Sequence, residues 1–306
     1  MADHVKSSAA RRRIDTGTLG AALFAGVVVL SLAGPWLASQ SPLDFVGSPF
    51  QPPSAEHWLG TDVLGRDALA RILGGGYRIL GLSALATVLG VFAGALLGIA
   101  AGYFKGAVDE ITMRLLDVAL AFPQIILALL FVSIIGPELW LITLIVAALH
   151  APQVARVARA AALRVAGEDY ILYAEAVGMP RTRVMLFEIL PNIATPLLVE
   201  LGLRFTYSIA LIAGLSFLGL GIQPPTPDWG LMINENRIGL VTNPWPVVVP
   251  VVIIAVLTVG ANLFADAVIR RIFGLDGARR AAAAPDLASD EAPLTVEIEP
   301  ARSAAE

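Results

Sequence analysis

The sequence predicts an all-α membrane protein with about six transmembrane helices and both termini on the cytoplasmic side. Three observations carry this. The chain of 306 residues is 57% hydrophobic, with a mean hydropathy of +0.75. Only 15% of its residues are charged, against about 25% in an ordinary soluble domain. Its basic residues cluster in alternate connections between long apolar runs, the signature of loops kept on the inner side of a membrane. The net charge of −4 argues against nucleic acid as a partner, and the absence of cysteine removes disulfides, thiolate metal sites and cysteine nucleophiles. Three scattered histidines, His4, His57 and His150, give no expectation of a metal site.

A spanning helix needs about 20 mainly apolar residues. Candidate spans cover residues 18–38, 79–104, 115–135, 139–155, 193–221 and 247–265. For the first, a cleaved signal peptide is the alternative, since Arg11, Arg12 and Arg13 precede it. A signal core is only ~7–15 residues long, and Trp36 stands where small residues should lead to cleavage. The second span carries Gly90, Gly94, Gly98 and Gly102, whose spacing keeps them near one helix face. Glycines there let another backbone approach closely, either in a second membrane subunit or in a helix of this chain. Pro123 and Pro152 fall inside spans, where they can kink or interrupt a helix.

Glu200 and Arg204 share a face of the fifth span. Charges at such depth normally face a cavity or a partner. They line a polar translocation path, form a structural ion pair, or lie on a helix that extends into the cytoplasm and leaves Glu200 wet. Asp117 and Asp266 are read as interfacial. Pro224, Pro225 and Pro227 stiffen the outer connection after the fifth span, and Trp229 is expected at the membrane interface. Gly60-Thr61-Asp62 and Gly65-Arg66-Asp67 read as turns, with Asp67 capping a helix from Ala68. The segment 1–17 is an N-terminal tail, and residues 275–306, rich in alanine, proline and acids, are expected to be a disordered tail.

The most informative connection is the polar loop EDYILYAEAVGMPRTRVMLFEILPN, residues 168–192. A short helix over 170–177 should stop at Gly178-Met179-Pro180. A second helical stretch over 181–190 follows, and Pro191 leads into the next span. A short glycine-capped helix suits the groove of a soluble partner; lying on lipid is the alternative.

This loop resembles that of the inner-membrane permease subunits of bacterial ABC importers. Their pattern is E-A-A, three residues, G, nine residues, I-x-L-P. Aligned on Gly178, Ala174 matches the third position and Leu190-Pro191 the ending. Leu172, Tyr173 and Glu188 depart from the pattern, and Glu175 does not stand at the family's Glu position. The segments HWLGTDVLGRDALARILGGGYRIL (57–80), AGYFKGAVDEITMRLLDVALAFP (101–123) and LSFLGLGIQPPTPDWG (215–230) resemble the dipeptide/oligopeptide/nickel branch, specifically its C-type subunit. The resemblance spans residues 18–274.

It implies the type I ABC importer transmembrane domain, in a bacterial inner membrane. It also implies a pathway shared with a second, B-type permease chain, two ATPase subunits below, and an extracytoplasmic substrate-binding protein. Tyr173, Ala174, Glu175, Ala176, Gly178, Arg181, Leu190 and Pro191 would form the ATPase-coupling loop, within about residues 157–192. The chain has no G-x-x-x-x-G-K-[ST] phosphate loop, so ATP and Mg would bind in the partner ATPases and this subunit would hold no cofactor and catalyse nothing. Di- or oligopeptides are the expected cargo, with nickel or another small solute as the alternative. An ion-coupled secondary transporter would leave the docking loop without a role, and no nucleophile–base constellation suggests an intramembrane enzyme.

Overall fold

The computed structural model describes residues 16–272. The tails expected at 1–17 and 275–306 therefore lie outside the described residues, apart from the start of the first helix. The described chain is helical, with two isolated β-bridges, Phe45 with Arg66 and Thr61 with Asp67. In order, its helices are α1 (Thr16–Leu37), α2 (Ala68–Gly74), α3 (Gly76–Phe104), α4 (Gly106–Leu120), α5 (Gln124–Ile135) and α6 (Leu139–Val165). Then come α7 (Asp169–Ala176), α8 (Arg181–Arg183), a π-helical turn (Val184–Ile189), α9 (Leu190–Asn192), α10 (Ala194–Phe217), α11 (Trp229–Asn236) and α12 (Trp245–Ile272).

Five of the described helical stretches are long and apolar enough to cross a membrane, and α4 with α5 makes a sixth if that bent pair is one span. The third span is therefore not the continuous helix expected over 115–135. Its two halves meet at 84°. Pro123 lacks an N–H and pushes the residue before it out of the helical region, so the helix stops at Leu120 and restarts at Gln124. Pro152 has the opposite outcome. Helix α6 runs through it for 27 residues and reaches Val165, well past the expected end at 155. Arg156, Arg159 and Arg164 therefore sit on the helix and not in the following loop. Arg159 pairs with Asp109 on α4, and Arg156 pairs with Asp117 there.

The centre of the bundle is the pairing of α3 with α6. A Cβ built at Gly90 would lie 2.8 Å from the Ala147 carbonyl oxygen, and one at Gly94 2.6 Å from that of Ala151. Gly98 would clash with the Ala155 carbonyl and Gly102 with the Ala162 side chain. All four glycines face α6 of the same chain, where the alanines complete a small-residue contact between backbones. Around this seam lie two apolar clusters. One gathers Ile79, Ile142, Ile209, Ile212 and Trp229. The other gathers Ile99, Val154, Ala158, Ile171, Val184, Ile189 and Ile193, and so reaches into the loop after α6.

Trp229 is not at a membrane interface. It is fully buried, and its indole N–H donates to the Ile72 carbonyl at 2.9 Å. A tryptophan can be enclosed only when that donor finds a partner. The end of α2 supplies one, and Gly76 leaves room for the ring.

Candidate functional site

Helix α7 is short, so its ends decide its shape. Asp169 in its first turn complements the positive end of the helix dipole. At the other end the Gly178 N–H donates to the Glu175 carbonyl at 2.9 Å and the Met179 N–H to the Ala174 carbonyl at 3.0 Å. This is a Schellman termination, and it needs a left-handed residue. Gly178 has φ +81° with nothing near its missing side chain, so conformation and not space requires glycine there. After Pro180, the stretch expected as one helix over 181–190 becomes three pieces, with the π-helical turn at Val184–Ile189 in the middle.

One face of the loop is anchored. Ile171, Val184 and Ile189 are fully buried and Ala174 nearly so. The Tyr103 hydroxyl donates to Glu175 Oε1 at 2.5 Å, and the Arg181 guanidinium sits 5.7 Å from the centre of the Phe104 ring. Both contacts tie the loop to the end of α3. The other face is bare. Tyr170, Tyr173 and Val177, spaced three and four apart, share a helix face and are 43%, 71% and 60% exposed, with Phe187 also uncovered. Ala176, Gly178, Arg181 and Pro191 are exposed as well, and Leu190 is half-buried. The exposed positions Tyr170, Val177 and Phe187 carry no motif; for Tyr170 and Val177 the signal is the three-and-four spacing through Tyr173.

Inside the membrane-spanning part, Arg204 Nε donates to Glu200 Oε2 at 2.9 Å and Arg204 Nη1 donates to Gln153 Oε1 at 3.2 Å. Gln124 Nε2 reaches the same Gln153 oxygen at 3.1 Å. The Tyr207 ring lies 5.1 Å from the Arg204 guanidinium. Glu200 is buried, which overturns the reading that α10 leaves it wet. A polar chain thus crosses α5, α6 and α10. A second one joins His150 to the Ser208 hydroxyl at 3.0 Å and Ser208 to Thr87 at 2.9 Å. Gln124, Gln153 and His150 were not read from the sequence as partners. The signal was present, since hydrogen-bonding side chains are scarce in these spans.

At the opposite end from the loop, the turns before α2 fold onto α11. Asp67 caps α2 by accepting from the Ala70 N–H at 2.7 Å and also meets His57 Nδ1 at 2.9 Å. Asp62 is buried and bonds both Arg66 (2.7 Å) and Arg71 (2.5 Å), while both arginines also reach Glu235 at 3.3 and 2.8 Å. Burial alone would raise the Asp62 carboxyl. The Arg66 backbone N–H and the Arg71 and Arg66 guanidinium groups more than offset this and hold it below its ordinary value. Asp228, which caps α11, is driven the other way, up to about 6, by burial.

A bundle of apolar helices with glycine-tight packing, a polar seam in its spans and one anchored surface helix defines a multi-pass membrane protein. Residues 94–274 match the family described as binding-protein-dependent transport system inner membrane component, and the chain belongs to that family, the membrane domain of type I ABC importers in the bacterial inner membrane. Among named relatives, a dipeptide transport system permease protein of Alkalihalophilus pseudofirmus is 35% identical over 249 residues, 81% of this chain and 82% of that one. A di/tripeptide transport system permease protein of Pseudomonas aeruginosa is 36% identical over 82% of this chain and 85% of its own. A glutathione transport system permease protein of Pectobacterium atrosepticum is 38% identical over 70% and 71%.

Proposed function

We propose that this chain is the C-type permease subunit of an ATP-driven importer of di- or oligopeptides. It would share the pathway with a B-type permease chain and receive cargo from an extracytoplasmic binding protein. The observation that carries the coupling role is the bare stripe of Tyr170, Tyr173 and Val177 on a helix whose other side is locked into the core. An apolar face held rigidly at the surface is what a partner's groove engages. The basic loops support a topology with both termini and this helix in the cytoplasm, where two ATPase subunits would dock. ATP and Mg would be held by those subunits, and hydrolysis would occur there. The names of the relatives support peptide as the cargo.

The test is uptake of a labelled dipeptide by cells carrying the full set of partner subunits. Uptake should collapse when ATP is depleted and persist when the ion gradients are dissipated; the reverse pattern would establish an ion-coupled transporter instead.

Glu200 and Arg204 would border the pathway, with Gln153 and Gln124 extending the polar surface. Removing one partner of a buried ion pair leaves the other uncompensated, at about 3–5 kcal/mol. Beyond the loss of yield this brings, Arg204→Leu is expected to lower uptake at least ~10-fold per assembled complex, the amount of complex being read by pull-down of the partner subunits. Full uptake by this variant would remove Arg204 from the pathway.

A further inference from the structure

We infer that the chain holds one acyl chain of an anionic phospholipid in a pocket between the end of α1, α2, the start of α3 and the 225–227 loop. The pocket has a volume of about 240 Å³, several times the ~30 Å³ share of one liquid water. Its wall is mostly carbon, from Pro35, Ala38, Pro42, Leu43, Ala70 and Pro227. Tyr77 and Arg78 line it as well, Tyr77 exposed and Arg78 half-buried.

Two features select the occupant. The first is position. Helix α1 ends at Leu37 and α3 begins at Gly76, so the pocket lies where spanning helices meet the boundary of the membrane. Trp36, 85% exposed beside the wall residue Pro35, and the exposed Tyr77 are the residue types that settle at that boundary. The second is charge. Arg78 Nε donates to the Tyr77 hydroxyl at 2.9 Å and its guanidinium lies 5.5 Å from the Tyr77 ring centre. Among the described residues no carboxylate pairs with it, in contrast to Arg66, Arg71, Arg114, Arg156, Arg159 and Arg204. A guanidinium without a carboxylate partner, lining a mostly carbon-walled slot, is complementary to a phosphate with a hydrocarbon tail. The slot takes the tail and Arg78 takes the phosphate. Hydrocarbon gains little by leaving the bilayer for the slot, so selectivity falls on the headgroup.

The test is native mass spectrometry of the purified full chain titrated with dioleoyl phosphatidylglycerol. One lipid per chain is expected to survive detergent exchange. Arg78→Gln should weaken retention about 10- to 100-fold, the range for a lost bond to a charged group, and Arg78→Lys should keep most of it. Ala38→Phe fills the slot from a half-buried wall position and should weaken retention with Arg78 intact. Dioleoylglycerol, which lacks the phosphate, should not be retained, and sn-glycerol 3-phosphate, which lacks the tails, should not displace the lipid. Retention unchanged in both Arg78→Gln and Ala38→Phe would overturn the site. Displacement by glycerol phosphate would reassign it to a soluble phosphate ester and overturn the lipid.

Discussion

Tyr173→Glu is expected to lower ATP-dependent uptake by about 30-fold or more while leaving the chain inserted at normal yield. The magnitude follows from the position of the side chain. Tyr173 is 71% exposed in the middle of the bare face of α7, and central aromatic residues at interfaces cost 2 kcal/mol or more when lost, about 30-fold in an equilibrium. A carboxylate there also has to be desolvated on docking. The normal yield follows from what Tyr173 does not touch, since the loop is anchored by Ile171, Ala174, Val184 and Ile189. Uptake, membrane yield and stimulation of ATPase turnover by cargo-loaded binding protein are the three readings. Unchanged uptake and stimulation would remove this face from coupling. The point substitution is sharper than deletion of residues 170–181. Deletion is also expected to uncouple, but it takes Ile171 and Ala174 out of the core as well.

Asp62→Ala is expected to destabilise the chain by about 3–5 kcal/mol, the usual cost of removing one partner from a buried charge cluster. Arg66 and Arg71 would be left sharing Glu235, and the backbone N–H groups of Leu64 and Arg66 would lose their acceptor. Asp62→Asn keeps an oxygen for those N–H groups and should fall between the two. Thermal unfolding in detergent at fixed lipid content reads the order; equal melting of all three would show that Asp62 contributes nothing. The pH dependence has a definite sign. The folded Asp62 carboxyl lies below the ordinary 3.8, so its contribution is fully present above that value. It is lost as pH falls through the folded value. Asp62→Ala should therefore lose less stability than the unsubstituted chain on strong acidification.

Much of this architecture was legible in the residues because lipid permits few solutions. An apolar run that must satisfy its own backbone becomes a helix, and α1, α3, α10 and α12 appear where hydropathy places them. The cap at Asp67 and the stop at Gly178 were legible for a local reason, since both depend on neighbours in the chain. Where two outcomes shared one local signal, only packing could decide. Pro123 and Pro152 look alike in sequence, yet one bends a span through 84° and the other sits in an unbroken helix lined by α3. The glycines of α3 fitted an external partner as well as an internal one until Ala147, Ala151, Ala155 and Ala162 were seen to face them. Trp229 was misplaced because its fate depends on the Ile72 carbonyl, 157 positions away in the chain. The cluster of Asp62, Arg71 and Glu235 was hidden for the same reason.

The seam between α3 and α6 has a mechanical consequence. Where side chains separate two helices, rotamer changes let them slide. Here the backbone carbonyls of α6 lie directly under the glycines of α3, with His150 and Val154 the larger side chains packed beside them. A slide along so close a backbone contact meets steric resistance, which favours α3 and α6 moving together. Tyr103 and Phe104 at the end of α3 hold Glu175 and Arg181 of the loop, so under the proposed coupling role a displacement of α7 would be felt first by α3. Under the proposed transport role, the compliance needed to change which side of the membrane is open would fall to the joints that the seam does not hold. These are the elbow at Pro123 and the loosely wound turn at Val184–Ile189.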